Sequence, residues 1–425
     1  MLNKLLITLA KRFVREGTLT LTLPGRAPQS FGQGSPRVGI AIKDSATIRA
    51  ILMNPELGLG EAYMDERLTL TEGDLFDFFH LLARNRELGH LPGWQSAMWA
   101  MRKRLKRFAQ KAHITTSRQN VAHHYDISTE FYDLFLSEDR MYTCAYYEGE
   151  NTTLPQAQHA KIDHIAGKLL LEPGLRLLDI GCGWGYMACY LAKKYDVHVT
   201  GVSLSREQLK SCAQFAKDME VEDRVDFRYQ DYREVDEQFD RIYSVGMLEH
   251  VGQPQYATYF EKIHENLSDD GIALIHFIGR NAPPGALSPW FNKYIFPGGY
   301  TPALSEVTPA VEASGLLAND LEIWRGHYER TLYDWWERFE ANIAPARAMY
   351  DDRFIRMWRY YLVAAQVAFP EMKSILCHLQ LSKNQYRVPN KRDYLYVDGA
   401  PAPEAWATLP PPLQRLTPRP ANPGR

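Results

Sequence analysis

The chain has 425 residues, of which 45% are hydrophobic and 24% charged, with a formal net charge of −2. That length allows two or three domains, the apolar share is ordinary for a globular protein, and the near-neutral balance argues against a nucleic-acid partner. The five cysteines, Cys144, Cys182, Cys189, Cys212 and Cys377, form an odd, sparse set with no CxxC pair. Such a set is neither a disulfide framework nor a zinc motif, so no metal site is expected, and a reducing cytosol is the simplest setting.

Taken in chain order, the first element is a helix. Leu2, Leu5, Leu6, Leu9 and Phe13 recur at helical spacing, with Lys4, Lys11, Arg12 and Arg15 elsewhere on the wheel. Its apolar run is too short for a signal sequence or a membrane span. It reads as an amphipathic docking helix, with an interfacial membrane helix as the alternative. Residues 17–45 alternate in "TLTLTLP" and continue into "SFGQGSPRVGIAI", which predicts short strands. Residues 46–88 predict helices around a loop, "NPELGLGEAYMDERL", so 1–93 is expected to be a small α+β domain. The stretch 94–117 carries "MRKRLKRFAQK", with Arg102, Lys103, Arg104, Lys106, Arg107 and Lys111 and no acid among them. It reads as a basic helical linker, either a solvated helix face or a segment drawn to anionic lipid.

From 118 to 398 apolar strand runs ("LRLLDIG", "VHVTGVSL", "VDFRYQD", "FDRIYSVG", "GIALIHFIG") alternate with helix candidates near 184–195, 205–219 and 254–267. This alternation predicts an α/β domain with a parallel sheet covered on both faces. The Pro-rich stretch 399–425 has little to bury and reads as a disordered tail.

The run "LLDIGCGWG" ends a buried strand and turns into a helix. Its glycines bring backbone N–H groups close to a ligand, and Asp179 just before them suits a ligand carrying an amino group better than a pyrophosphate. After the second strand stand Ser203 and Gln208; after the third, Asp231 and Tyr232 are placed to hydrogen-bond and stack on an adenine.

Together, "LLDIGCGWG", "VTGVSLSREQ" and "SVGMLEHVG" resemble the cyclopropane-fatty-acid synthase family, which includes the mycolic acid cyclopropane synthases. "HHYDISTEFYDLFL", "MYTCAYY", "IHFIG", "IFPGGYTP" and "RMWRYYL" extend the likeness over about 118–385, and "GLGEAYMDE" resembles the extra N-terminal domain of members that act on membrane phospholipids. The resemblance implies a seven-stranded, Rossmann-like methyltransferase domain that binds S-adenosylmethionine. It sets Tyr125 and Tyr142 against the cofactor, with the loop Asp179, Gly181, Gly183, Trp184 and Gly185 around its methionine part. Ser203 and Gln208 would meet the ribose, and Asp231 and Tyr232 the adenine. Tyr232-Arg233 replaces the Trp-Glu of some relatives, which leaves Arg233 without a carried-over role.

An isolated alkene is a weak nucleophile, so it must be aligned with an electrophilic methyl. The resulting cation needs aromatic faces and exclusion of water. Tyr142, Tyr146, Tyr147, Phe277, Tyr300, Tyr328, Trp335 and Trp336 are the aromatic candidates, and Glu249, His250 and His276 the candidates for handling the departing proton. The resemblance further implies a bound bicarbonate as base, held by Cys144, Glu249, His276, Ile278 (through its backbone) and Tyr328. Cys144 would then be a cradle wall acting through its amide and not a nucleophile. The activity implied is that of a transferase making cyclopropane fatty acids from unsaturated phospholipids at the cytosolic membrane face, and a homodimer is admitted. The alternatives are a relative yielding branched methyl or methylene chains, a methyltransferase for a soluble small molecule, and a lipid-binding protein with a decayed catalytic domain.

Overall fold

The computed structural model describes residues 1–87, 101 and 127–396; Tyr125, the basic run 102–111 and the tail 399–425 lie outside them. The N-terminal unit opens with helix α1 (Leu2–Phe13), followed by strands β1 (Gly17–Thr22), β2 (Gln29–Gln33) and β3 (Arg37–Ile42). Helices α2 (Ser45–Met53) and α3 (Pro55–Met64), strand β4 (Leu68–Glu72) and helix α4 (Leu75–Glu87) complete it. Its sheet runs β2-β1-β3-β4, with β1 and β3 parallel and the outer pairs antiparallel.

The stretch expected to be a loop at 54–68 is mostly α3. Its glycines belong there because neighbours leave no room for side chains. A Cβ on Gly58 would lie 2.8 Å from the Ala50 backbone, and one on Gly60 would collide with the Trp290 ring. Tertiary packing outweighs the roughly 1 kcal/mol that each glycine costs a helix.

In the larger unit, helix α5 (Leu154–Lys168) precedes β5 (Arg176–Ile180), α6 (Tyr186–Tyr195), β6 (His198–Ser203), α7 (Arg206–Asp218) and β7 (Val225–Tyr229). Then come β8 (Phe239–Val245), the short α8 (Leu248–Val251), α9 (Tyr256–Asn266) and β9 (Leu267–Arg280). Helix α10 (Leu304–Ser314), β10 (Leu317–Trp324), α11 (His327–Ala341), α12 (Asp352–Glu371) and β11 (Ser374–Ser382) close the unit. The seven strands run β10-β11-β9-β8-β5-β6-β7.

The five strands read from the sequence are parallel, as expected. The fully parallel sheet is corrected, however: β11 runs antiparallel to both β9 and β10. These two strands were not anticipated, because β10 alternates weakly and β11 carries Cys377, His378 and Gln380 between its apolar residues. Strand order reverses between β8 and β6 across β5, so the crevice opens at the carboxyl end of β5, where α/β folds bind ligands.

Polar contacts clamp the two units together. Glu371 on α12 accepts from Arg84 (2.7 Å) and pairs with His80 (2.8 Å) on α4. Arg353 meets Asp65 at 2.7 Å, and Arg356 donates to the Met64 carbonyl at 2.6 Å. Among the described residues no helix is long and apolar enough to cross a membrane.

Candidate active site

A cavity of about 1120 Å³ starts at the carboxyl end of β5 and ends inside the small unit. Its floor is the glycine loop. Gly181, Gly183 and Gly185 all adopt left-handed φ (88°, 55° and 86°). At Gly185 a Cβ would also lie 2.8 Å from the Cys212 sulfur, so a side chain there is excluded twice over. The loop delivers the chain into α6 and leaves Asp179 buried at the strand end. Burial raises the Asp179 carboxyl to about 7, and the adjacent Tyr243 offsets only part of this. A cationic amino group would restore its charge.

At the end of β6, the Ser203 hydroxyl donates to Gln208 Oε1 at 3.3 Å. The Gln208 amide nitrogen is buried with no partner, which fits a ribose hydroxyl as acceptor. Tyr232 lines the cavity and packs edge-on against Tyr259 at 5.5 Å, leaving a ring available to an adenine. Asp231 differs from the expectation. Its carboxylate is engaged by Arg233, through Nε at 2.8 Å and the backbone N–H at 3.0 Å. The Tyr232-Arg233 departure thus gives Arg233 a task, holding Asp231 at the cavity edge. These features fit a nucleoside carrying an amino acid, as S-adenosylmethionine does.

Deeper in, Glu249 on α8 meets β9. The Ile278 amide, expected to face a bound anion, donates instead to Glu249 Oε1 at 2.6 Å. Glu249 Oε2 is buried without a partner, and burial raises this carboxyl to about 7 against the pull of the Ile278 amide. Tyr328 projects from the first turn of α11. Burial pushes its hydroxyl well up, and Tyr361, Cys144 and Glu249 push it further, so these four groups share one neighbourhood. Cys144 and His276 are buried and do not themselves line the cavity; His276 lies on β9 two residues from Ile278, which does. The Cys144 thiol donates to the Ala145 carbonyl at 3.3 Å, and burial keeps it protonated. His276 bonds through Nδ1 to His378 Nε2 at 2.8 Å. His250 also lines the cavity, and its ring is exposed there.

Of the aromatic candidates, Tyr142, Tyr300 and Tyr328 line the cavity; Tyr146, Tyr147, Phe277, Trp335 and Trp336 do not. Phe277 alternates with His276 and Ile278 along β9 and so points to the other face. Phe296, Tyr360 and Tyr361 take the vacant aromatic places, and Tyr361 accepts from the Tyr142 hydroxyl at 2.7 Å.

Sequence reasoning also missed Lys161. It is fully buried in the cavity wall and donates to Thr143 Oγ1 (2.8 Å) and Gln158 Oε1 (2.6 Å). Burial lowers it to about 8, opposed by Asp139 and Cys144. The signal was available: Leu154, Ala157, Lys161, Ile165 and Lys168 form one helical stripe, and two lysines on an apolar stripe need a reason.

Residues 112–379 match the family described as mycolic acid cyclopropane synthetase, and residues 10–88 match a domain of unknown function. The chain is 37% identical over 337 residues to the cyclopropane-fatty-acyl-phospholipid synthase of Escherichia coli K12, covering 79% of this chain and 85% of that protein. The cyclopropane synthase MmaA2 of Mycobacterium tuberculosis superposes with a TM-score of 0.60 at 32% identity, over 63% of this chain and 98% of that one. The mycolic acid cyclopropane synthase CmaA1, solved with SAH and CTAB, superposes with a TM-score of 0.59 at 32% identity, over 62% of this chain and 97% of that one. With a glycine loop, a buried acid and a ribose-facing amide arranged as an S-adenosylmethionine site requires, the chain belongs to the mycolic acid cyclopropane synthetase family of S-adenosylmethionine-dependent transferases, whose members cyclopropanate lipid double bonds.

Proposed function

We propose that this enzyme adds a methylene to the cis double bond of unsaturated phospholipid acyl chains, giving cyclopropane fatty acids. The observation that carries the reading is the continuity of the cavity. From the glycine loop it passes Glu249, Tyr328 and Tyr361 and runs on between Leu19, Leu21, Ile40, Ile42, Phe78 and Leu82 of the small unit. An apolar passage of this length exceeds what a soluble amine or alcohol needs and suits an acyl chain. Arg280 and Lys373 in its wall supply positive charge for a phosphate.

The cofactor supplies an electrophilic methyl. The protein's part is to line up the alkene, exclude water and stabilise the cation. Aromatic faces of Tyr142, Tyr328 and Tyr361 serve the cation, and their mutual contacts fix the ring positions. Bicarbonate is the proposed base. The free Glu249 Oε2 would accept its O–H, and the buried Lys161 would offset the charge of an anion placed near a carboxylate. Tyr328 and His276 would supply polar contacts beside it. Incubation with labelled S-adenosylmethionine and unsaturated phospholipid vesicles, followed by fatty acid analysis, tests the reading. Labelled cyclopropane chains are expected; methyl-branched chains, or no labelled lipid at all, would refute it.

A further inference from the structure

Beneath the cavity the sheet carries a row of titratable side chains of which the chemistry above uses only the inner end, His276. His276 on β9 is the direct cross-strand partner of His378 on β11, and His378 is that of Glu322 on β10. Directly opposed residues share one face of a sheet with Cβ atoms about 5 Å apart. The row therefore runs from the strand beside Glu249 to β10, the edge strand, where Glu322 keeps 14% side-chain exposure. Helix α5 covers it. His164 Nε2 lies 2.8 Å from Glu322 Oε2, and Lys168 Nζ lies 2.6 Å from the same oxygen.

We propose that His378 and the Glu322–His164 pair form the exit path for the proton removed at the reacting carbon, with His276 as its inner end. This rests on the reading that the new methyl loses its proton beside His276. The balance is simple. A C–H bond of the added methyl breaks, its electron pair closes the ring, and the proton goes to the proposed bicarbonate, which passes one proton on to His276 Nε2 and is regenerated. The Nδ1 proton of His276 passes to His378 Nε2, the Nδ1 proton of His378 passes to the Glu322–His164 pair, and one proton leaves to solvent. No oxidant or reductant is needed.

An outward relay requires one polarity. His276 Nδ1 and His378 Nε2 are 2.8 Å apart, so one donates and the other accepts. If His276 donates, neutral His378 carries its proton on Nδ1, where it can be passed on. The opposite arrangement would leave Nδ1 a lone pair, with no proton to pass on. His378 Nδ1 is buried without a protein partner, and His164, Glu322 and His378 each offer a ligand atom within 4.8 Å of the others. One water spans such a gap. Burial, together with nearby positive charge, pulls His276 and His378 well below the ordinary histidine value. Both rest neutral, each with one N–H and one acceptor, as a relay requires.

The surroundings are otherwise committed. Lys161 stands near His276, and Lys168 also meets Asp320 at 3.1 Å. Asp320 accepts from Arg392 Nε at 2.9 Å, and Tyr396 and Tyr394 lie near Glu322. The Trp324 ring covers His378 at 3.8 Å, and His327 packs against Trp324 at 5.5 Å. The three grouped residues resemble a metal set, but the Lys168 ammonium already occupies the cation position beside Glu322.

Two variants test the path. His378→Gln keeps a carbonyl oxygen to accept from His276 Nδ1 but cannot pass a proton on. Glu322→Gln removes the outer acceptor near the surface, and it carries the test should the buried variant fail to fold. In the cofactor-free protein, nitrogen-15 NMR of the imidazoles should show Nδ1–H tautomers for both His276 and His378. Turnover should fall about ten- to a hundredfold in each variant, the low end for lost acid–base function, with cofactor affinity and melting temperature retained. The solvent deuterium isotope effect should rise in each, and the double variant should be no slower than the slower single one, since both cut one route. An Nε2–H tautomer at His378, wild-type turnover in folded His378→Gln, or a stoichiometric metal that this variant loses would overturn the path. The base assignment fails separately: in that case carbonate removal and Glu249→Gln leave turnover unchanged.

Discussion

Asp179 and Glu249 are both carboxyls that burial raises to about 7, from ordinary values of 3.8 and 4.5. The sign of the linkage follows. A carboxyl whose pKa is higher when folded favours the folded state fully below its unfolded value, and that contribution is lost as pH rises toward 7. Binding a cationic amino group selects ionised Asp179. Cofactor affinity should therefore increase with pH up to about 7 and then level off, with proton release visible by calorimetry in buffers of different ionisation enthalpy. Above that pH, Asp179→Ala should lose about tenfold or more in affinity, the worth of one charge-assisted hydrogen bond. A flat pH profile with unchanged affinity would remove Asp179 from the ammonium position. Glu249→Gln acts elsewhere. It keeps the shape but turns an acceptor into a donor at the atom that would hold the anion. Turnover should fall by about a hundred- to ten-thousandfold while cofactor affinity stays near wild type. Removing dissolved carbonate should slow the wild-type enzyme and adding it back should restore it; indifference to carbonate would exclude the anion as base.

At the scale of elements, α3 connects the small unit to the catalytic one. Its Glu61 pairs with Lys293 at 2.6 Å and accepts from Tyr294 at 2.8 Å, while Trp290 donates to Met64 Sδ at 3.2 Å. Gly60→Ala sets two effects against each other. Helix propensity would gain about 1 kcal/mol, whereas forcing a Cβ into the fully buried Trp290 ring typically costs about 1–3 kcal/mol. The collision wins because Trp290, 1% exposed, is boxed in by Phe291 and Tyr360. A lower melting temperature is expected, with weaker action on long acyl chains and unaltered cofactor binding; a higher melting temperature would show that Trp290 can yield.

For the whole molecule, the proposed reaction requires a lipid whose chain enters the cavity lined by both units. Helix α1 places Leu6, Leu9, Ala10 and Phe13 in that cavity and its basic residues outside, which is the docking role expected of it. The basic run 102–111 is proposed to recruit the enzyme to an anionic lipid surface. Vesicle binding should then weaken as salt rises, since the screening length falls to about 8 Å at physiological ionic strength. Neutralising Arg104, Lys106 and Arg107 together should reproduce the high-salt result in a flotation assay. Equal, salt-independent binding to neutral and anionic vesicles would make that run a solvated helix face.

What the sequence by itself determined is local. Glycine spacing, strand-then-helix alternation and the acid before the loop are all consequences of neighbouring residues, so the crevice at β5 and a ligand with an amino group were legible in "LLDIGCGWG", while the cofactor's identity came from the resemblance carried by several motifs together. Strands β1, β2 and β3 of the small unit were legible for the same reason, whereas β4 (Leu68–Glu72) falls in a stretch read as helical. What only the tertiary structure decided depends on residues far apart in the chain. The antiparallel pair β10 and β11 brings His378 and Glu322 beside His276, across 102 residues in the first case. The Ile278 amide goes to Glu249, and Lys161 is drawn into a wall it shares with Asp179. The helix at "NPELGLGEAYM" exists because Trp290 and Ala50 press against its glycines. Periodicity reports which face of an element is apolar. It carries no record of which distant element will cover that face, and buried polar groups take their partners, and hence their protonation, from that distant element.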